Sequence, residues 1–139
     1  MNKRVWVAGL AAGAVLNIVG WLGNQLVLGR MWKDTIHTVV PLRSRTWVNE
    51  VVSLLPDFVY GVALAWLFAL LLQAGASRSQ AVLKSSAWVC AVGAMTTFLG
   101  IWNSGFIPPE LAISTTVLAM ITFVPAGWLV SRMLREAKA

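Results

Sequence analysis

Asp57 is the residue with the clearest chemical potential in this chain. It follows Pro56 inside the stretch Val51 to Gln73, VVSLLPDFVYGVALAWLFALLLQ, which is long enough to cross a bilayer. The other long apolar runs carry no charge. An ionised carboxylate inside a bilayer is costly, and intramembrane acids often mark ion or proton paths. Asp57 could therefore take up and release a proton, with Tyr60 one helical turn on to share it. The structural alternative is that Asp57 is neutral or paired, bonded to Asn24 or reaching Arg43 or Arg45 at the interface. Its place near one end of the span, away from the midplane, favours the structural role.

Other polar side chains cluster at a comparable depth. At a rise of about 1.5 Å per residue, Asp57 lies about 9 Å inside the outer end of its span and Asn24 about 6 Å inside the outer end of the first. Asn103 is close to the outer end of the third. Asp57, Tyr60, Asn24, Gln25 and Asn103 are thus expected to meet in the outer half of a bundle, with Asn17 deeper on the face of Asn24.

No catalytic set accompanies them. There is no Ser/His/Asp grouping, no CxxC, no glycine-rich phosphate loop and no carboxylate cluster. His37 is the single histidine and has no neighbouring ligands for a metal or haem. Cys90 is the single cysteine, so no intramolecular disulfide can form; a small buried hydrophobe is its expected role. Neither enzyme activity nor a metal or other cofactor is expected.

The elements that position these residues are apolar helices. The 139 residues are 58% hydrophobic and 12% charged, and mean hydropathy is +0.75. A soluble domain of this size could not hide that much apolar surface. Four stretches can span a bilayer at about 20 residues each: 5–28, 51–73, 85–107 and 111–131. The basic start, Met1 to Arg4, imitates a signal peptide, but the following run is too long for a typical h-region and is read as the first span. The expectation is one all-α domain over 1–139, a four-span membrane helical bundle.

Small residues suggest how the spans pack. Gly9, Gly13, Asn17, Gly20 and Asn24 fall on one side of the first span, and Gly9 and Gly13 form a GxxxG that admits another backbone. Gly93, Thr97, Gly100 and Ser104 form a similar stripe on the third. GAVLNIVG from Gly13 and GAMTTFLG from Gly93 share both glycines and the alanine. Spans 2 and 4 both end on Trp-Leu, at Trp66 and Trp128. This hints at two duplicated helical hairpins. Between spans 1 and 2, Trp32, Ile36, Val39 and Val40 recur at helical spacing until Pro41 ends the pattern. This predicts an amphipathic helix lying in the interface, held there by Trp32, Ile36 and Val40.

The net charge of +6 forms no stripe on a polar face, so nucleic acid is not an expected partner. The charges sit at span ends. With the termini inside, Lys3, Arg4, Arg78, Lys84, Arg132, Arg135 and Lys138 are inner, against Arg30, Lys33, Arg43 and Arg45 outside. This distribution predicts both termini in the cytoplasm.

The run MNKRVWVAGLAAGAVLNIVGWLGNQLVLGRMW, then GVALAWLFALL, then PAGWLVSRML, resembles small uncharacterised bacterial four-span inner-membrane proteins. The resemblance covers most of the chain. It implies an inner-membrane location and nothing about activity. Small multidrug resistance transporters are similar in length and span count. Their coupling glutamate lies in the first helix, where this chain has Asn17 and no acid, so that functional residue does not carry over.

Two functions follow as expectations. The first is a non-enzymatic protein that acts by helix packing, as an accessory or structural subunit of a larger membrane complex. The second is a small proton-coupled transporter or channel using Asp57. Four short spans enclose little room, so that second reading calls for a homo-oligomer.

Overall fold

The computed structural model describes residues 3–39 and 47–135, and it is helical throughout its long elements. These are α1 (Lys3–Leu26), α2 (Gly29–Val39), α3 (Trp47–Gln73), α4 (Arg78–Cys90), a π-helical turn (Ala91–Met95), α5 (Thr96–Asn103) and α6 (Pro109–Arg135). Four helices are long and apolar enough to cross a membrane: Lys3–Leu26, Val51–Gln73, the continuous Arg78–Asn103, and Pro109–Leu134. The class of protein is therefore a multi-pass, all-α membrane bundle. Val40, Arg43 and Arg45 lie outside the described residues, as do the last four residues of the tail.

The third span begins seven residues before the expected start at Ser85. Ser77 is the reason. Its hydroxyl accepts from the Gln80 backbone N–H at 3.3 Å, and its own N–H donates to Gln80 Oε1 at 3.2 Å. This capping box satisfies donors that a helix start would otherwise leave open. Gly75, at φ 86°, makes the preceding turn. The span also ends earlier than expected, at Asn103, where Gly105 turns the chain at φ 76°. Pro56 and Pro125 both sit inside unbroken helices.

The helices pack in sequence order around the bundle. α1 lies against α3 and α6, and α4 lies against α3 and α6. The closest approach joins α1 to α3. A Cβ at Gly9 would stand 2.6 Å from the Val62 Cα, and one at Gly13 would stand 2.7 Å from the Phe58 Cα. A Cβ at Gly61 would run into the Gly9 carbonyl oxygen and the Gly13 nitrogen. Three glycines therefore let two backbones touch, which is the geometric purpose of GxxxG.

Two of the five glycines expected at helix contacts are not there. Nothing lies within 4 Å of a Cβ built at Gly20 or Gly100. Their spacing matched the stripe, but Gly20 borders open space and Gly100 faces outward. Gly93 does sit at a close contact: a Cβ built there would stand 2.6 Å from the ring of Tyr60 on α3. The counterpart Gly13 meets a backbone on α3, so the residue match between the two hairpins does not extend to an equivalent contact.

One half of the bundle is solid. Val5, Ala8, Ala12 and Leu16 of α1 are buried with Leu64 and Phe68 of α3, Ala81 and Cys90 of α4, and Phe123, Ala126 and Val130 of α6. These residues share the end where α1 starts and α6 finishes. Ser86 Oγ donates to the Phe123 carbonyl at 3.1 Å and ties α4 to α6 within this core. At the same end, Arg78 Nη1 donates to the Ser131 carbonyl at 3.1 Å, and Arg132 lies 4.7 Å above the Trp128 ring. The other half, toward α2, is built differently.

Candidate functional site

The α2 half of the bundle holds a partly open cavity of about 1090 Å³. Its wall takes one stretch from each span: Leu16 to Gln25 of α1, Ser53 to Tyr60 of α3, Ala94 to Phe98 around the π turn, and Thr115 to Phe123 of α6. Gly29 and Trp32 of α2 complete it. The four short spans thus line a sizeable space without fully enclosing it. The space exists because α3 packs on α4 while α5 packs on α6. Span 3 parts from span 2 just where the helix widens into its π turn. Thr96 donates to the Val92 carbonyl, and Thr97 Oγ1 donates to the Gly93 carbonyl at 2.8 Å, so threonine hydroxyls serve the carbonyls that the π turn displaces.

Asp57, Tyr60, Asn24 and Gln25 all line this cavity, as the depth argument expected, and Asn17 lines it too. Asn103 does not; it is exposed at the end of α5. Depth alone placed it with the others, whereas the splay of α5 carries it away. Asn17 is a bridge between helices. Its Nδ2 donates to the Gly13 carbonyl at 3.1 Å and across to the Leu54 carbonyl of α3 at 3.3 Å.

Asn24 is not a partner of Asp57. Its Nδ2 donates to the Gly20 carbonyl at 2.9 Å, and its Oδ1 accepts from Trp32 Nε1 at 3.0 Å. Trp32 is accordingly not an outward membrane anchor. Of the eight tryptophans, it is the one turned inward; the other seven are 44–76% exposed. Together with Met31 it packs on a small cluster of Ile107, Leu111 and Ala112, and so closes the α2 end of the cavity. Ile36 lies within α2, and Val40 lies outside the described residues. Trp32→Phe keeps the packing and deletes the donor. A double-mutant cycle with Asn24→Ala should give a coupling of about 0.5–1.5 kcal/mol in thermal unfolding. Additive losses would mean that the bond does not hold α2 in place.

Asp57 is half-buried. Among the described residues no side chain donates a hydrogen bond to its carboxylate or pairs with it. The other polar side chains of the wall are uncharged. Thr97, Thr115 and Thr122 each donate to a carbonyl of their own helix at 2.7–2.8 Å, and the Asn17 amide is already engaged. Aromatic surface completes the site, from Trp21, Trp32, Tyr60, Phe98 and Phe123. Tyr60 and Phe123 stand 6.1 Å apart with rings tilted by 50°. Phe98 and Phe123 carry no sequence signal that separates them from core residues. Thr115 and Thr122 do, as a weakly polar face of the fourth span.

Among the described residues no three His, Cys, Asp or Glu side chains group as metal ligands. No family model, curated protein or solved structure matches the chain. Function has to be read from the cavity itself.

Proposed function

We propose that this protein is a non-enzymatic, small-molecule-handling membrane protein, a carrier or binding protein whose cavity receives a cationic molecule with apolar bulk. One observation carries the reading. Among the described residues Asp57 is the only acidic side chain on the cavity wall, and none of them neutralises it. An ionised carboxylate left alone at this depth is expensive, and a bound cation offsets that expense. Aromatic faces near it add attraction for an organic cation through their ring quadrupoles. The cavity volume lies just above the range of ordinary ligand sites, roughly 300–1,000 Å³. A proton on Asp57 in the unloaded state fits the same site, and proton-coupled exchange is the transport form of this proposal. A homo-oligomer is no longer needed to provide the space.

The test is binding of benzyltrimethylammonium to the protein in lipid nanodiscs. Wild type should bind saturably and Asp57→Asn should not. Equal binding by both proteins would remove Asp57 from the site, and no binding to wild type would end the reading.

The apolar outer surface supports a second reading, an accessory subunit packed on a larger membrane complex. Trp66 and Trp88 are each at least half exposed on that surface, where a partner helix or lipid can cover them. A stoichiometric larger partner after mild-detergent purification would favour this reading. For orientation, we place both termini in the cytoplasm of a bacterial inner membrane, on the charge distribution and the resemblance given above. Reporter fusions after Arg135 and in the Gly75 turn should both read as cytoplasmic, and a periplasmic signal from either would reverse the topology.

A further inference from the structure

The outer surface carries a second hollow, a groove of about 440 Å³ between α3 and the junction of α4 with the π turn. Ala63 and Leu67 form one side, and Trp88 and Val92 form the other. Trp88 and Val92 are each 64% exposed, so the groove opens toward the surrounding bilayer. Tyr60 and Thr97 line both the groove and the inner cavity. The wall between the two spaces is thus little more than the Tyr60 ring resting on Gly93, where a side chain is missing. It stands where span 3 parts from span 2.

The geometry points to a single-chain cationic amphiphile as the ligand, entering sideways from the membrane with its head at Asp57 and its tail in the groove. This rests on the proposed cationic site and adds what the rest of the molecule is and how it arrives. The direction is what carries it. From Asp57, Ala63 lies about 9 Å and Leu67 about 15 Å further along α3, at about 1.5 Å per residue. That path runs from the α2 end of the span to the middle of the bilayer and a few ångströms beyond it, at about 1.5 Å per residue. An amphiphile in the leaflet on the α2 side has this same arrangement, with its charged head near the surface and its tail toward the midplane. It can pass between α3 and α5 without turning over. The composition agrees with the direction: the carboxylate and most of the polar side chains lie on the inner side of Tyr60, while the groove is mainly aliphatic and aromatic. The tail leaves lipid for an equally apolar surface, so the groove selects by shape and position and adds little affinity of its own.

The experiment uses dodecyltrimethylammonium carrying a diazirine at the tail end, with the full chain in nanodiscs. After irradiation, label should concentrate on residues 63–67 and 88–92. Excess benzyltrimethylammonium, which has a head and no tail, should reduce that label at least fivefold, and so should Asp57→Asn. Val92→Trp, at an exposed position outside the inner cavity, should fill the groove. It should cut labelling there at least fivefold while leaving benzyltrimethylammonium binding unchanged. Label confined to residues 115–122, or spread evenly over outward faces and indifferent to the competitor, would overturn the tail assignment while the cationic site stands. Wild type that binds no benzyltrimethylammonium would fail at the earlier step, and both readings would go together.

Discussion

Gly61→Leu is expected to unfold the bundle's tightest contact and to lower thermal stability more than any other single change considered. The Cβ alone would collide with the Gly9 carbonyl oxygen and the Gly13 nitrogen. Both are backbone atoms of α1, so no side chain can swing aside. The helices would have to separate along an interface that also holds the Gly9–Val62 and Gly13–Phe58 contacts. Alanine is the weaker probe. Its helix propensity returns about 1 kcal/mol relative to glycine, against an overpacking cost of about 1–3 kcal/mol. Leucine adds bulk with no such recovery in proportion, and its net loss should reach about 3 kcal/mol or more. Gly100→Leu is the control, because nothing stands within 4 Å of its Cβ. Melting curves in mild detergent should show a large drop for Gly61→Leu and none for Gly100→Leu. Equal melting of the two variants would mean that α1 and α3 do not meet through glycine.

The second large effect has opposite signs in two measurements. Asp57→Asn should lower affinity for benzyltrimethylammonium at least tenfold, which corresponds to about 1.4 kcal/mol. The same variant should melt at or above wild type, because it removes a carboxylate that no described side chain neutralises. Asp57→Leu sharpens the contrast. The sequence alone suggests that leucine destabilises by stranding partner donors, Asn24 among them. In the structure Asn24 is engaged by Trp32 and its own helix, so leucine strands no donor and should be tolerated. Loss of binding with retained or raised stability is the pattern of a residue kept for a ligand. A clear drop in stability for both variants, with probe affinity unchanged, would return Asp57 to a packing role.

Four spanning helices follow from composition and apolar run length alone, since few other structures satisfy the backbone in a bilayer. Asp57 stands out for the same reason: one charge among long uncharged runs is visible without coordinates. The GxxxG on α1 was legible as a face that admits a backbone. Which backbone it admits, and that Gly61 is the receiving residue, depended on the partner helix. Helical spacing put Gly20 and Gly100 on the same stripes as Gly13 and Gly93, because periodicity reports a face and not what stands opposite it. The start of the third span was hidden by Arg78 and Lys84, whose charges mask a helix that Ser77 and Gln80 in fact cap. Trp32 read as a membrane anchor, since an amphipathic pattern cannot tell lipid from a protein surface. Only tertiary packing decided that it closes the bundle from above. The cavity itself has no sequence signature. It arises because α3 and α5 diverge past the π turn, and a divergence between two helices is a property of how four helices share space, which no single helix encodes.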